Sequence, residues 1–208
     1  MARLARVQDA AGGFICLAEK DGVFHAPPQM LGRSVTDPTE LMGDWEHNLE
    51  AIEAAVAAGA APVDIAGMRF APPIAHPGKL ICIGVNYHDH IAEMGVNAPE
   101  FPYAFLRPFG CLAAHGEAVT LPDWPKMVDW EAELGVVIGR PAKYVSEADA
   151  LGHVAGYCVI NDVSERAYQT ERQGQWTKGK SCDNFGPIGP WLVTPDEAGD
   201  PQNLGMWL

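Results

Sequence analysis

The sequence lacks any apolar run close to the roughly 18 residues that a membrane-spanning helix requires. Its opening stretch, MARLARVQDAAGG, has two arginines but no apolar segment, so it predicts no secretory signal. The phosphate-binding pattern GxGxxG, the nucleophile elbow GxSxG and the zinc motif HExxH are also missing. These absences argue against a membrane protein, a dinucleotide-binding enzyme, a serine hydrolase of the elbow type and a zinc peptidase.

Basic residues are scarce, and cysteines form no metal-binding or redox pattern. There are 14 Lys and Arg residues against 27 Asp and Glu, which gives a formal net charge of −13. Nucleic acid and anionic membranes would repel such a chain, whereas a divalent cation would not. The five cysteines are Cys16, Cys82, Cys111, Cys158 and Cys182, and none forms a CxxC pair. We therefore expect reduced thiols and a cytoplasmic location.

The first 75 residues show the sequence patterns of a small α/β domain. Residues 1–26 alternate as in a β-hairpin with a turn at Lys20-Asp21-Gly22, and residues 45–58 show the helical spacing of apolar residues. Asp44 is a candidate helix N-cap, and Gly59 a candidate helix end. Residues 71–79 contain three prolines and a glycine, which indicates a linker. We predict a domain over residues 1–75 and a main domain over residues 76–208.

The main domain is expected to be mostly β, with short helices inserted, within an overall α+β class. Its candidate strands are KLICIGV, WEAELGVVIGR, VAGYCVINDVS and GPIGPWLVT, and its candidate helices are NYHDHIAEMG, SEADALGHV and SERAYQTERQ. The closing residues Met206-Trp207-Leu208 resemble the beginning of a strand. That pattern predicts a domain that is incomplete at its C-terminus, because a sheet would otherwise keep an unpaired edge.

Two glutamates in the segment VDWEAELGVVI raise the possibility of a metal site. In a strand Glu131 and Glu133 would project to the same side, and two close carboxylates need a cation or a shared proton when they are partly buried. A solvent-facing strand edge is the alternative interpretation. The apolar run that follows favours a strand buried on both faces, which leaves the two interpretations about equal.

Asp162 is the candidate third oxygen ligand, because it ends an apolar strand-like run. Three carboxylates suit Mg²⁺ or Mn²⁺ better than zinc. The alternative role for Asp162 is the N-cap of a following helix. On a helix, His90 and Glu93 would lie on one face, as a carboxylate-oriented general base or as an ordinary surface pair. Lys180 could stabilise an oxyanion or be a solvated turn lysine.

Four segments in one order resemble the fumarylacetoacetate hydrolase family, over about residues 80–208. The segments are ICIGVNYHDHIAEMG, VDWEAELGVVIGRPA, GYCVINDVSERAYQ and KGKSCDNFGPIGPWLVT. The resemblance implies a mixed β-roll or β-sandwich fold, a homodimer, and a small oxo-acid substrate, while the negative charge predicts no nucleic acid or membrane partner. It implies metal ligation by Glu131, Glu133 and Asp162, a His90–Glu93 dyad on a lid helix, a catalytic Lys180, and substrate contacts or dyad positioning by Arg166 and Gln169.

Within the family, the chain resembles the branch that acts on 2,4-dioxo sugar acids and related diketo acids. It departs from the common pattern at Ala167, where an Asp is frequent, and at Cys182, where a Phe is frequent. The resemblance implies a metal-dependent hydrolase of a carbon–carbon bond. An isomerase or decarboxylase that uses the same metal-bound enolate is an alternative, and an inactive truncated homologue that serves as a binding or dimerisation module is another.

Overall fold

The computed structural model describes residues 3–26, 31–123 and 127–208, so residues 1–2, 27–30 and 124–126 of the two predicted domains lie outside it. The strands are β1 Arg3–Gln8, β2 Phe14–Lys20, β3 Val23–His25, β4 Arg69–Ala71, β5 Ile81–Gly84, β6 Tyr103–Leu106, β7 Leu112–Ala114, β8 Val128–Asp129, β9 Ala132–Ile138, β10 Val154–Asn161, β11 Ser164–Glu165, β12 Gly186–Ile188 and β13 Trp191–Val193. The α-helices are α1 Trp45–Ala57, α2 His88–Met94, α3 Glu147–Ala150, α4 Arg166–Thr170, α5 Thr177–Lys180 and α6 Pro195–Ala198.

One sheet of nine strands organises the described residues. Its order is β3-β2-β1-β13-β10-β12-β7, with β4 also paired to β1 and β9 also paired to β10. The strand pairs are antiparallel except for β12 and β7, which run parallel. Two short ribbons, β5–β6 and β8–β11, stand beside this sheet. The mixed α+β class and its predominance of strands agree with the sequence prediction.

The predicted N-terminal hairpin is confirmed, and it continues into the rest of the sheet. β1 pairs with β2 along its whole length, and β2 turns into β3 through Asp21 and Gly22, both at positive φ. β1 also pairs with β13, with Arg3 opposite Val193. Strands from both sides of the predicted boundary therefore share one sheet, while the boundary at residues 75 and 76 itself stays a prediction.

Helix α1 covers the sheet and matches the predicted helix to within one residue. Trp45 and Ile52 are buried in the main core together with Leu4 and Leu192. Complete burial of one such side chain contributes about 2 kcal/mol. Asp44 occupies the N-cap position but makes no side-chain capping hydrogen bond. The capping box belongs instead to the preceding 3₁₀ helix, Pro38–Asp44, at Asp37 and Glu40.

The prediction of a strand buried on both faces is wrong for β9, and β5, which has a similar apolar run, is also exposed on one face. In β9, Val137 packs against the core while Val136 and Ile138 are at least half exposed. In β5, Ile81 and Ile83 are likewise exposed. Alternating exposure is the pattern of a strand with one covered face, because successive side chains point to opposite sides of a sheet. An apolar run alone could not reveal which face other elements cover.

Three further segments differ from the prediction. The run GPIGPWLVT forms two strands, β12 and β13, separated at the cis peptide bond between Gly189 and Pro190. Residues 204–208 have no regular secondary structure, so the predicted strand beginning at Met206 is wrong. Lys180 ends a short helix and does not lie in a turn. Within the described ranges, no helix combines the length and apolar character needed to cross a bilayer, and all five cysteines are free thiols.

Candidate active site

Two acidic side chains meet where β9 begins and β10 ends. Ala132 pairs with Asn161 in the antiparallel ladder, and Glu131 and Asp162 are the next residues outward. The Asp162 amide donates to the Glu131 carbonyl at 3.0 Å, and the Glu131 amide donates to Asn161 Oδ1 at 3.1 Å. The end of the ladder therefore holds two carboxylates side by side. The alternative role of Asp162 as a helix N-cap is wrong, because the N-cap of α4 is Glu165.

The ammonium group of Lys180 lies between these carboxylates. Its Nζ donates to Glu131 Oε2 at 2.5 Å and to Asp162 Oδ2 at 2.8 Å. The residue is only 2% exposed, so the interpretation as a solvated lysine is wrong. Its helix packs tightly on α4, because a Cβ at Gly179 would lie 2.5 Å from the Glu165 carbonyl oxygen. A glycine at this position thus lets Lys180 reach the two acids.

Two arginines extend the contacts beyond the central pair. Arg166 Nη2 donates to Glu131 Oε1 at 2.6 Å and to Asp129 Oδ2 at 2.7 Å, and Arg166 Nη1 donates to Gln169 Oε1 at 2.9 Å. Arg107 Nη1 donates to Asp162 Oδ1. The result is a series of six side chains of alternating sign, which we call the ionic chain. Its members in order are Arg107, Asp162, Lys180, Glu131, Arg166 and Asp129.

Burial changes along the ionic chain. The exposed fraction of the side chain rises from 0% at Arg107 to 47% at Asp129. Sequence reasoning missed both end members. The available signals were weak: Asp129 lies two residues before Glu131, and Arg107 is a single charge after the apolar run YAFL. Neither position stands out without knowledge of which strands meet.

The two neighbouring glutamates have opposite electrostatic character. Burial raises the pKa of Glu131, but its contacts with Lys180 and Arg166 outweigh burial and hold the pKa below its usual range. Burial raises the pKa of Glu133 to about 7, although a hydrogen bond from Tyr87 acts in the other direction. The Tyr87 hydroxyl also accepts a hydrogen bond from the Leu134 amide at 3.0 Å. For Asp162, burial raises the pKa more than Arg107 and Lys180 lower it.

The His90–Glu93 pair lies on helix α2 at the mouth of the same cleft. His90 Nδ1 is 3.6 Å from Glu93 Oε2, which is the range of an ion pair and too long for a hydrogen bond. The two side chains are 52% and 82% exposed. The helix ends at Gly95, which adopts the left-handed conformation that glycine favours. This geometry is compatible with a surface pair and with a dyad that tightens when substrate is present.

A cleft of about 1740 Å³ brings these groups together. Its lining includes His90, Glu93, Glu131, Glu133, Asp162 and Lys180. The volume exceeds the roughly 300–1,000 Å³ of typical small-molecule pockets, so the cleft has room for a small acid substrate. The predicted catalytic and metal-binding side chains therefore face one space, together with Arg166 and Gln169.

The acidic side chains of the cleft offer oxygen donors, which a hard divalent cation prefers. Among the described residues no three His, Cys, Asp or Glu side chains are close enough to hold one ion. Two of the predicted ligands, Glu131 and Asp162, nevertheless share one cationic group, which is the Lys180 ammonium. Glu133 adds a third carboxylate to the same cleft. Carboxylate oxygens are the donors that Mg²⁺ and Mn²⁺ prefer.

Comparison with known families identifies one that covers most of the chain. Residues 79–208 match the family model described as "Fumarylacetoacetate (FAA) hydrolase C-terminal". A protein of Burkholderia cenocepacia (strain HI2424) is 45% identical over 195 residues, which are 91% of this chain and 67% of that protein; its name proposes a hydrolase without a substrate. The chain spans about two thirds of that protein's length.

Solved structures with the same fold include two hydrolases and an isomerase. Maleylpyruvate hydrolase from Sphingobium sp. SYK-6, in complex with manganese(II) ion and pyruvate, is 29% identical with a TM-score of 0.75, covering 96% of this chain and 69% of that one. Fumarylacetoacetate hydrolase from Exiguobacterium antarcticum is 28% identical with a TM-score of 0.73, covering 97% and 69%. The 5-carboxymethyl-2-hydroxymuconate delta-isomerase from Mycobacterium smegmatis is 34% identical with a TM-score of 0.67, covering 92% and 66%.

Proposed function

This chain belongs to the fumarylacetoacetate hydrolase family, and from that premise we propose that it hydrolyses a carbon–carbon bond in a 2,4-dioxo acid with Mg²⁺ or Mn²⁺ as cofactor. The observation that carries the proposal is the convergence of Glu131 and Asp162 on one cationic position inside a cleft. Paired acids from separate strands are suited to bind a hard cation. Such an ion supplies Lewis acidity, which makes a departing enolate a better leaving group.

The proposed ligands of the ion are Glu131, Glu133 and Asp162. The support for this assignment is the chemistry of the donors and their common cleft, together with the manganese ion named in the complex of the Sphingobium hydrolase. Lys180 contacts two of the three acids directly. We therefore place its positive charge beside the reacting end of the substrate, where it would stabilise a developing oxyanion.

The remaining residues activate a water molecule and orient the substrate. Glu93 orients His90, and His90 removes a proton from a water molecule that attacks the distal carbonyl carbon of the substrate. The bond between that carbon and the neighbouring methylene then breaks, and the methylene carbon gains a proton. One dioxo acid and one water thus give one carboxylic acid and one 2-oxo acid. Arg166 and Gln169, which hydrogen-bond each other, bind the substrate or position the dyad.

The experiment measures hydrolysis of an acylpyruvate with added Mg²⁺ or Mn²⁺ and after removal of metal with EDTA. We expect turnover that requires the metal, and loss of metal affinity in the double variant Glu131→Gln/Glu133→Gln. The matched control is Glu50→Gln/Glu53→Gln, which alters two exposed acids of helix α1. Unchanged Mg²⁺ affinity in the first double variant would reject the ligand assignment.

An isomerase or a decarboxylase is the second candidate, because both reactions pass through a similar enolate. The similarity to an isomerase from Mycobacterium smegmatis favours this candidate. Product analysis separates the possibilities when the chain is incubated with 2-oxo and 2-hydroxy-dienoic diacids. A new carboxylic acid indicates hydrolysis, carbon dioxide indicates decarboxylation, and a shifted double bond without cleavage indicates isomerisation.

A non-catalytic role as a binding or dimerisation module is the third candidate. Oxalate mimics the chelating end of the enolate, so calorimetry with Mg²⁺ and oxalate tests whether the site can bind at all. Absence of binding favours the non-catalytic role. We also propose that the chain forms a homodimer, which the resemblance implies, and sedimentation equilibrium would detect it.

A further inference from the structure

Arg107 lies at the buried end of the ionic chain. It directly follows β6, its amide donates to the Leu80 carbonyl at 3.0 Å, and its side chain is 0% exposed. Its Nη2 lies close to β12, because a Cβ added to Gly186 would be 3.4 Å from that atom. The guanidinium therefore sits on the protein side of Asp162, and it is not part of the cleft lining.

Most of the N–H donors of this guanidinium have no hydrogen-bond partner among the described residues. Within the part of the chain that the structure describes, Nε and Nη2 of Arg107 are buried without any hydrogen-bond partner, and only Nη1 is bonded, to Asp162. Buried donors without partners are unfavourable, and those of a permanent cation especially so. The contact with Asp162 is thus the feature that can account for a charge at this position.

Both oxygens of the Asp162 carboxylate have a charged partner. The terminal torsion of an aspartate is broad, so a single hydrogen bond leaves the carboxylate plane loosely defined. Here Oδ1 is held by Arg107 from behind, while Oδ2 is directed at Lys180 Nζ at 2.8 Å. One oxygen of the carboxylate thus contacts Arg107, and the other contacts Lys180.

We propose that Arg107 is a positioning residue that fixes the Asp162 carboxylate and, through it, the Lys180 ammonium. The placement of Lys180 is independent of any cofactor, whereas the effect on metal affinity rests on the proposed function. A side chain one step removed from the reacting groups can act in this way because outer partners orient the groups that do the chemistry.

The first test needs no metal and no substrate. Arg107→Met and Arg107→Lys are compared with the wild-type chain by crystallography and by acetylation of lysines, with exposed Lys178 as the internal reference. In Arg107→Met we expect Asp162 to rotate, its bond to Lys180 to lengthen beyond hydrogen-bonding distance, and the labelling ratio of Lys180 to Lys178 to rise severalfold. Arg107→Lys should restore much of the wild-type ratio. A wild-type Asp162–Lys180 contact in Arg107→Met would overturn the proposal.

The second test measures Mn²⁺ binding by calorimetry in the same variants. We expect Arg107→Met to bind Mn²⁺ about ten- to a hundredfold more weakly, as is usual when the partner of a metal ligand is removed. The matched control is Arg6→Met, which removes a largely buried arginine that pairs with Asp37 in the N-terminal part of the sheet. Equal affinity in Arg107→Met and the wild type would overturn the effect on the metal site.

The two tests distinguish a failure of the proposed function from a failure of the positioning role of Arg107. If the wild-type chain does not bind Mn²⁺, the proposed function fails, and the Lys180 labelling still decides the role of Arg107. If Arg107→Met does not fold, Arg107→Gln replaces it, because it removes the charge and keeps a polar side chain at this buried position. We expect increased Lys180 labelling in Arg107→Gln, and an unchanged ratio there would overturn the proposal.

Discussion

The two ends of the cleft are built in different ways. At the inner end, Lys180 and Asp162 are buried, and each makes at least two charged hydrogen bonds to neighbours in the ionic chain. At the outer end, His90 and Glu93 are exposed on a short helix and stand 3.6 Å apart. The inner end is therefore arranged before any ligand arrives, whereas the outer end can still change its geometry.

Because of this difference, the loss of a residue should affect stability and activity differently at the two ends of the cleft. Removal of one partner from a buried charge pair leaves a charge without compensation, which is strongly destabilising. An exposed ion pair contributes little, because water screens it and both side chains lose freedom when they meet. We therefore expect changes at the inner end to affect both folding and turnover, and changes at the outer end to affect turnover alone.

The largest effect is expected from Lys180→Met. The change removes the cation shared by Glu131 and Asp162, so the free energy of unfolding should fall by about 3–5 kcal/mol at pH 7. Turnover should fall by at least about a hundredfold if the ammonium stabilises an oxyanion. Urea denaturation and steady-state kinetics measure the two effects. Lys178→Met, which alters an exposed lysine of the same helix, serves as control, and equal stability of both variants would contradict the comparison.

The second prediction concerns His90→Ala. Loss of a general base should lower kcat by about 10²–10⁴, while the free energy of unfolding should change by no more than about 0.5 kcal/mol because the site is exposed. His88→Ala alters an exposed histidine on the same helix outside the cleft lining and should keep full activity. Full turnover of an acylpyruvate by His90→Ala would remove His90 from the mechanism.

The third prediction uses the pKa of Glu133 in metal-free protein. The folded state holds the proton of Glu133 up to about pH 7, well above the usual range of a glutamate. Folding is therefore favoured by protonation, and stability falls as the pH rises from about 4 to about 7. Glu133→Gln should match the wild type near pH 4 and exceed it by about 1–2 kcal/mol above pH 8, after allowance for partial exposure.

Glu131 provides a control, because its effect on stability changes with pH in the opposite direction to that of Glu133. The pKa of Glu131 lies below its usual range, so its contribution to stability is present above about pH 4 and is lost as the pH falls through the lowered value. Glu131→Gln should thus be less stable than the wild type at pH 8. Urea denaturation at several pH values in EDTA measures both variants, and a change of the same sign in both would contradict the assignment.

The smallest effect is expected from Glu93→Gln. Because Glu93 and His90 are exposed, loss of their ion pair should change the free energy of unfolding by less than about 0.5 kcal/mol. Turnover should fall by roughly tenfold if Glu93 orients His90 for attack. Thermal denaturation and kinetics provide the measurements. A large loss of stability would mean that the outer end is as well packed as the inner end.

Local patterns in the sequence predicted the parts of the fold that depend on local interactions. The hairpin with its turn at Lys20-Asp21-Gly22 and the helix α1 follow from alternation and helical spacing, and the structure confirms both. The neighbouring positions of Glu131 and Asp162 also agree with the expectation that acids at the ends of strands converge. The roles of these residues as metal ligands stay predictions.

Features that depend on distant parts of the chain could not be predicted in this way. Arg107 contacts Asp162 across 55 positions, and nothing near Arg107 marks it as a partner of an acid. The one-sided burial of β9 depends on which of its faces other elements cover; Val137 is covered, Val136 and Ile138 are exposed, and an apolar run contains no such information. Asp129 was missed for a similar reason, since its partner Arg166 lies on another element.

The pairing of β1 with β13 limits how far the molecule can be shortened. β13 lies between β1 and β10 in the sheet, and its Leu192 is buried in the same core as Leu4 of β1. A fragment that starts at residue 76 would present the freed edge of β13 to solvent, where it could pair with other copies. Removal of the first strands should therefore make the protein precipitate and should not give a smaller stable domain.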